Sequence, residues 1–157
     1  MNSALSGMWG LAGLSGRVLP SQTFFTPTKA FKKWIEAQTL KIVDCGSGQG
    51  LLPSLYPEKI IGIDIMERDS YLGKVYVGMD ATRFPFTNSH ICLIARPDGS
   101  GWIYDCIQNA LEAGAMVVYV GVERNYERDL ECYEKKLLVN KAGKEGEQAW
   151  QILRQRN

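Results

Sequence analysis

Three short segments of the sequence carry groups able to hold a nucleoside-like ligand. The first is Asp44-Cys45-Gly46-Ser47-Gly48-Gln49-Gly50. Glycines at alternate positions let the backbone turn sharply and let a ligand approach without meeting a Cβ. The amides at the start of the helix expected next point into the same space. The second segment is Gly62-Ile63-Asp64-Ile65, in which Asp64 follows Gly46 by 18 residues. An acid at about 20 residues beyond a glycine loop can accept hydrogen bonds from ribose hydroxyls. The third is Gly78-Met79-Asp80-Ala81-Thr82-Arg83-Phe84-Pro85-Phe86. There Asp80 can accept from the exocyclic amine of a base and the following backbone N–H can donate to its ring. Phe84 or Phe86 can flank the base, although core packing is the commoner role for at least one of them.

The glycine spacing discriminates between ligands. A dinucleotide fingerprint, G-x-G-x-x-G, needs a small residue where this chain has Leu51. Gly50 makes the pattern G-x-G-x-G instead. A carboxylate at Asp44 would repel a pyrophosphate but suits a cationic group, directly or through water. The loop therefore fits S-adenosylmethionine, with its cationic methionine end, better than a dinucleotide.

These residues need a particular frame. Thr26 and Pro27 suit the N-cap and first position of a helix, and Ala30, Phe31, Trp34 and Ile35 continue it to about Gln38. Leu40–Val43 reads as a buried parallel strand running into the glycine turn. Leu51–Tyr56 predicts a short helix with Pro53 in its first turn. Lys59–Asp64, Val75–Val77, His90–Ala95 and Ala115–Val120 read as further strands. The connection 65–74 is too short for a full crossover helix. Trp102–Ala113 fits an amphipathic helix closed by Gly114, and Glu127–Tyr133 a short one. Lys136–Asn140 and Gln148–Leu153 flank a turn and read as a β-hairpin with a rather long loop. The expected fold class is α/β: a mostly parallel sheet with helices on both faces and a C-terminal antiparallel β-hairpin. In such sheets ligands bind beyond the carboxyl ends of the strands, where the three segments lie.

Taken together, Val43–Gly50, Ile61–Asp64 and Asp80–Phe86 resemble the class I S-adenosylmethionine-dependent methyltransferase family. The resemblance covers roughly Leu40 to Gly121, with a weaker echo in the terminal hairpin. It implies a Rossmann-like, seven-stranded sheet whose last two strands form an antiparallel hairpin. It also implies that Asp44 and the glycines Gly46, Gly48 and Gly50 hold the methionine part, Asp64 the ribose, and Asp80-Ala81 the adenine. Ser47 and Ile65 complete the expected cofactor-binding set.

The acceptor should meet the loop after the fourth strand, Ala95-Arg96-Pro97-Asp98-Gly99-Ser100-Gly101-Trp102. Members of the family that methylate DNA or glutamine amino groups often carry Asn/Asp-Pro-Pro-Tyr/Phe at this place. Arg-Pro-Asp argues against a base or amide nitrogen as acceptor. Arg96 can bind an anionic substrate and Asp98 can act as a general base. Set against those roles are an ion pair closing the loop for Arg96 and plain turn chemistry for Asp98-Gly99. Ser100 suits an N-cap as well as a ligand contact, and Glu123-Arg124-Asn125 can border the acceptor site. His90 reads as a hydrogen-bonded strand residue, and Trp34, Trp102 and Tyr104 as core or pocket wall. Methyl transfer needs few catalytic side chains, because the cofactor supplies the electrophile. The expectation is an S-adenosylmethionine-dependent methyltransferase with a small or anionic acceptor, or one presented by a partner protein. The alternative is a non-catalytic S-adenosylmethionine-binding or assembly protein that keeps the fold.

Whole-chain properties set the bounds. A length of 157 residues fits one domain, read as 24–157 behind a Gly/Ser-rich flexible arm at 1–23 that can also serve as a lid. A formal charge of +1 supplies no global field for nucleic acid or an anionic membrane. The arm lacks a basic signal-peptide start, and no run approaches the ~18 apolar residues of a membrane helix. Cys45, Cys92, Cys106 and Cys132 form no CxxC pair. They are expected to be reduced thiols of a cytoplasmic protein. With one histidine and no zinc-type spacing, no metal site is expected.

Overall fold

The structure, a computed structural model, describes residues 25–97, 101–122 and 130–157. In chain order the elements are α1 (Lys29–Ala37), β1 (Lys41–Cys45), α2 (Leu51–Leu55), β2 (Ile60–Asp64), β3 (Val75–Val77), β4 (His90–Ala95), α3 (Trp102–Glu112), β5 (Met116–Gly121), β6 (Tyr133–Val139) and β7 (Gln148–Gln155). The strands form one seven-stranded sheet in the order β3-β2-β1-β4-β5-β7-β6. Pairs from β3 to β5 are parallel, whereas β7 runs antiparallel to β5 and β6 antiparallel to β7. The expected parallel sheet with a terminal hairpin is therefore present.

Strand alternation divides the core into two layers. Val43 and Cys45, Cys92 and Ile94, and Val117 and Tyr119 face α3, where Ile103, Cys106, Ile107 and Ala110 meet them. Ile42, Ile91, Leu93, Val118 and Val120 face the other way, against Phe31 and Ile35 of α1 and Leu52 of α2. Side chains of period two on each strand need cover on both faces, and the helices provide it. Because Asp44 and Cys45 are neighbours, they leave the sheet on opposite faces. The glycine loop thus starts with a carboxylate on the α1 side and a thiol on the α3 side.

Several boundaries differ from expectation. The N-cap of α1 is Thr28, whose Oγ1 accepts from Phe31 N–H at 3.2 Å, and not Thr26. Pro27 bridges to Gly143 and Thr28 N–H donates to Ala142 O at 2.9 Å, so tertiary pairing keeps the chain extended for two more residues. Lys59 Nζ donates to the carbonyls of Ile35, Glu36 and Gln38 at 2.7–3.2 Å and caps the other end of α1. The hairpin strands are longer than predicted. Tyr133 opens β6 directly after a turn at 130–132 that buries Leu130 beneath the α3 layer. The helix expected at Glu127–Tyr133 is thus absent over 130–133, and its first three residues lie outside the described ones. The arm at 1–23 also lies outside them. No described helix is long and apolar enough to cross a membrane.

As expected, 65–74 forms no helix. It folds back on the glycine loop, with Leu72 N–H donating to Gln49 O at 2.7 Å. The contact is close enough to demand Gly73, since a Cβ there would lie 2.5 Å from Ser54 N and 2.6 Å from Gly50 O. Gly73→Ala is expected to destabilise the fold by about 1–3 kcal/mol, the usual cost of overpacking. Urea unfolding checks this, and an unchanged midpoint would contradict the close approach.

Candidate functional site

The glycine loop is fixed by its neighbour strand. Gly46 and Ser47 N–H both donate to Ile63 O of β2, at 3.0 and 2.9 Å. Asp64, at the end of β2 and 6% exposed, accepts from Gly48 N–H through Oδ2 at 2.8 Å and from Met66 N–H through Oδ1 at 2.9 Å. Gly46, Gly48 and Gly50 have φ of 75°, 61° and 79°, a backbone conformation in which a Cβ is unfavourable.

Beyond the strand ends lies a cleft of about 500 Å³, within the usual range for ligand sites. Gly46, Asp64, Ile65, Asp80 and Ala81 line it, as do Arg96 and Trp102 opposite. A smaller recess of about 60 Å³ adjoins it, sharing Gly46, Arg68, Ala95 and Arg96, and holds Asp44, Ser47 and Gly48. Eight of the nine residues expected to bind the cofactor thus converge on one opening. The exception is Gly50, which lines neither space. A Cβ at Gly50 would lie 2.8 Å from Gly73 O, so this glycine seats the loop against the 65–74 segment.

Asp44 is buried and accepts from Ser47 Oγ at 2.7 Å. Burial pushes its pKa up to about 6; the Ser47 bond opposes that shift and the nearby Asp64 charge adds to it. Asp80 is held below the usual carboxylate range, chiefly because Thr82 Oγ1 donates to it. Both Thr82 bonds, from Oγ1 at 2.7 Å and from N–H at 2.9 Å, fall on Oδ1.

Arg96 makes an ion pair, the second of the two readings made for it. Its guanidinium lines the cleft, yet Nη1 pairs with Glu147 at 3.1 Å and lies 3.7 Å from Glu145. Glu147 is 1% exposed, and its Oε1 also accepts from Glu145 N–H at 2.9 Å. Arg96 itself has φ of 49°, uncommon for a non-glycine residue, and its N–H donates to Val120 O at 2.8 Å. The pair fastens the β6–β7 turn to the end of β4. Asp98, Ser100 and Glu123-Arg124-Asn125 lie outside the described residues. His90 makes a local bond, its Nδ1 accepting from Thr87 N–H at 3.0 Å, away from the cleft lining.

Sequence reasoning missed four participants. Arg68 lines both spaces, lies 3.5 Å from Asp64 Oδ2, and has a buried Nε with no hydrogen-bond partner. Its spacing of four residues from Asp64 was a signal that could have found it. Met66 and Met79 add soft apolar wall on the Asp64–Asp80 side. Glu147 had no local signal.

The strand order, the terminal hairpin and the cleft above the strand ends define the class I methyltransferase fold. The structure is similar to that of the 23S rRNA methyltransferase ErmE, with a TM-score of 0.53 and 15% identity over 85% of this chain and 70% of that one. A ribosomal protein L11 methylase from Lactobacillus delbrueckii subsp. bulgaricus aligns with a TM-score of 0.48 and 12% identity, over 79% of this chain and 74% of its own. A DhpI–SAM–HEP complex aligns at 0.40 and 16%, over 81% and 69%. At 15% identity the likeness to ErmE shows a shared fold. No protein-family model matches the sequence, and no curated protein is similar to it in sequence.

The raised pKa of Asp44 has a definite sign for stability. Between about pH 4 and 6 the folded state holds a proton that the unfolded chain releases, so this group's contribution falls as pH rises through that window. Asp44→Asn should remove that slope and raise stability at pH 7 by roughly 1–3 kcal/mol. Urea titrations at pH 5 and pH 8 measure it; identical pH slopes in both proteins would refute the buried charge.

Proposed function

We propose that the chain binds S-adenosylmethionine in this cleft and transfers its methyl group to a small or anionic acceptor. One observation carries the reading. Asp44, Asp64 and Asp80, from the ends of or just beyond three adjacent parallel strands, meet around one opening that starts at a G-x-G-x-G loop. Such a set suits a ligand bearing an amine, a diol and an adenine. It does not suit a pyrophosphate, which would face Asp44.

The residues present fit that cofactor. Asp44 attracts the ammonium of the methionine end, and Asp64 accepts from the ribose hydroxyls. Asp80 keeps Oδ2 for the adenine amine, while Ile65, Met66 and Met79 supply apolar wall to the base. The unpartnered Nε of Arg68 is a buried donor left for the ligand's carboxylate. S-adenosylmethionine supplies an activated methyl group on its sulfonium. The chain's own residues bind, orient and exclude water. Trp102 and Pro97 wall the side opposite Asp64, and a Cβ on Gly46 would come within 3.7 Å of the Trp102 ring. Arg96 presents a guanidinium one third exposed at the same side, a cation for an anionic acceptor.

Calorimetry tests binding. Asp64→Ala and Asp80→Ala are each expected to weaken S-adenosylmethionine by about 10-fold or more, the worth of lost hydrogen bonds to a bound ligand. Wild-type affinity in both variants, or a preference for NAD, would sink the site assignment. Formation of S-adenosylhomocysteine with a panel of small and anionic acceptors tests transfer. Tight binding with no turnover across the panel would favour the non-catalytic reading.

A further inference from the structure

Beneath the cleft floor, three of the four cysteines meet. Cys45 Sγ lies 3.8 Å from Cys92 Sγ, and Cys92 Sγ lies 3.7 Å from Cys106 Sγ. All three sulfurs fall within 4.8 Å of one another, and all three residues are buried. They come from β1, β4 and α3, elements that sequence separates by up to 61 positions. The sheet register explains the meeting. Val43 pairs with Cys92, so Cys45 stands two residues further along the same face, and both side chains point toward α3.

We propose that these three thiols form a binding site for a soft, thiophilic metal ion. The point equidistant from the three sulfurs lies about 2.2–2.4 Å from each, which matches a zinc–thiolate bond of about 2.3 Å. The donor set is all sulfur among the described residues, with no imidazole or carboxylate in the group. Sulfur donors select Zn(II), Cu(I) and similar ions over Mg(II) or Ca(II). The nearest alternative chemistry is poorly placed. Two residues of offset across paired strands put the Cα atoms of Cys45 and Cys92 about 8 Å apart, beyond the ~7 Å reach of a disulfide.

Binding is balanced by proton release. Each S–H still present breaks, a sulfur–metal bond forms at each sulfur, and the displaced protons leave to solvent with no change of oxidation state. Cys45 also belongs to the cleft lining, so the ion would enter from that side, where a water can add a further ligand. The bound ion would bolt β1, β4 and α3 together directly under the glycine loop. The inference does not rest on the proposed function, since it concerns the layer behind the cleft.

The experiment uses the full chain, reduced and stripped of metal, carrying Cys132→Ser. Cys132 is exposed and outside the cluster, so this variant keeps three cysteines, all of them in the proposed site. Cd(II) titrated into it should give sulfur-to-metal charge-transfer absorption that saturates at one ion per chain with three thiolates, together with a rise in Tm. Competition by Zn(II) and by Cu(I), each against a chromophoric chelator, ranks the natural ions. Adding Cys92→Ser should weaken Cd(II) at least 10-fold. If that double variant does not fold, the Cys132→Ser titration decides by itself. Absence of thiolate absorption there overturns the proposal, as does wild-type affinity in a folded Cys92→Ser variant. S-adenosylmethionine binding measured on the same samples keeps failure of this site distinct from failure of the cleft.

Discussion

The site depends on one buried carboxylate. Asp64 ends β2 and spends one oxygen on Gly48 N–H and the other on Met66 N–H, so it ties the glycine loop to the strand beside it. A carboxylate buried at this depth must be hydrogen-bonded or paired, and both conditions are met, with Arg68 as the partner. The loop conformation, the start of α2 and the exit of the chain after β2 all follow from this anchorage. The same acid also lines the cleft.

Close packing reinforces the anchorage. Gly62 faces Ser47 Oγ and Pro53 Cγ, and a Cβ there would come within 2.7–2.8 Å of both. Gly50 and Gly73 make a similar backbone-to-backbone approach. The glycines of this region therefore divide by role. Gly46 and Gly48 border the cleft, whereas Gly50, Gly62 and Gly73 allow the loop, α2 and the 65–74 segment to nest. The three positive φ values in the loop tolerate no ordinary side chain at low cost, which links the sequence pattern to the shape of the opening.

At the end of β4 a different interaction governs. The Arg96–Glu147 pair joins β4 to the β6–β7 turn, and Glu147 is buried with its second oxygen bonded to Glu145 N–H. A guanidinium one third exposed and holding a buried carboxylate ties this rim of the cleft in place. It brings the hairpin, far from the glycine loop in sequence, to the edge of the cleft.

Much of the fold was legible in the sequence because it is local. Apolar strand runs, the G-x-G-x-G turn, Gly114 after α3 and the impossibility of a crossover helix in ten residues each depend on neighbours along the chain. The motifs that carry Asp44, Asp64 and Asp80 are local in the same way. What only the tertiary structure decided is what depends on strand register and sheet order. Thr28 caps α1 because the β6–β7 turn holds Pro27 extended, and Gly50 packs against Gly73. Arg96 meets Glu147 across 51 residues, and Cys45, Cys92 and Cys106 face one another because parallel pairing and one covering helix set their sulfurs on the same side. Side-chain periodicity assigns a face to each residue; which residues share that face at contact distance is fixed by pairing between segments, and no local pattern encodes that.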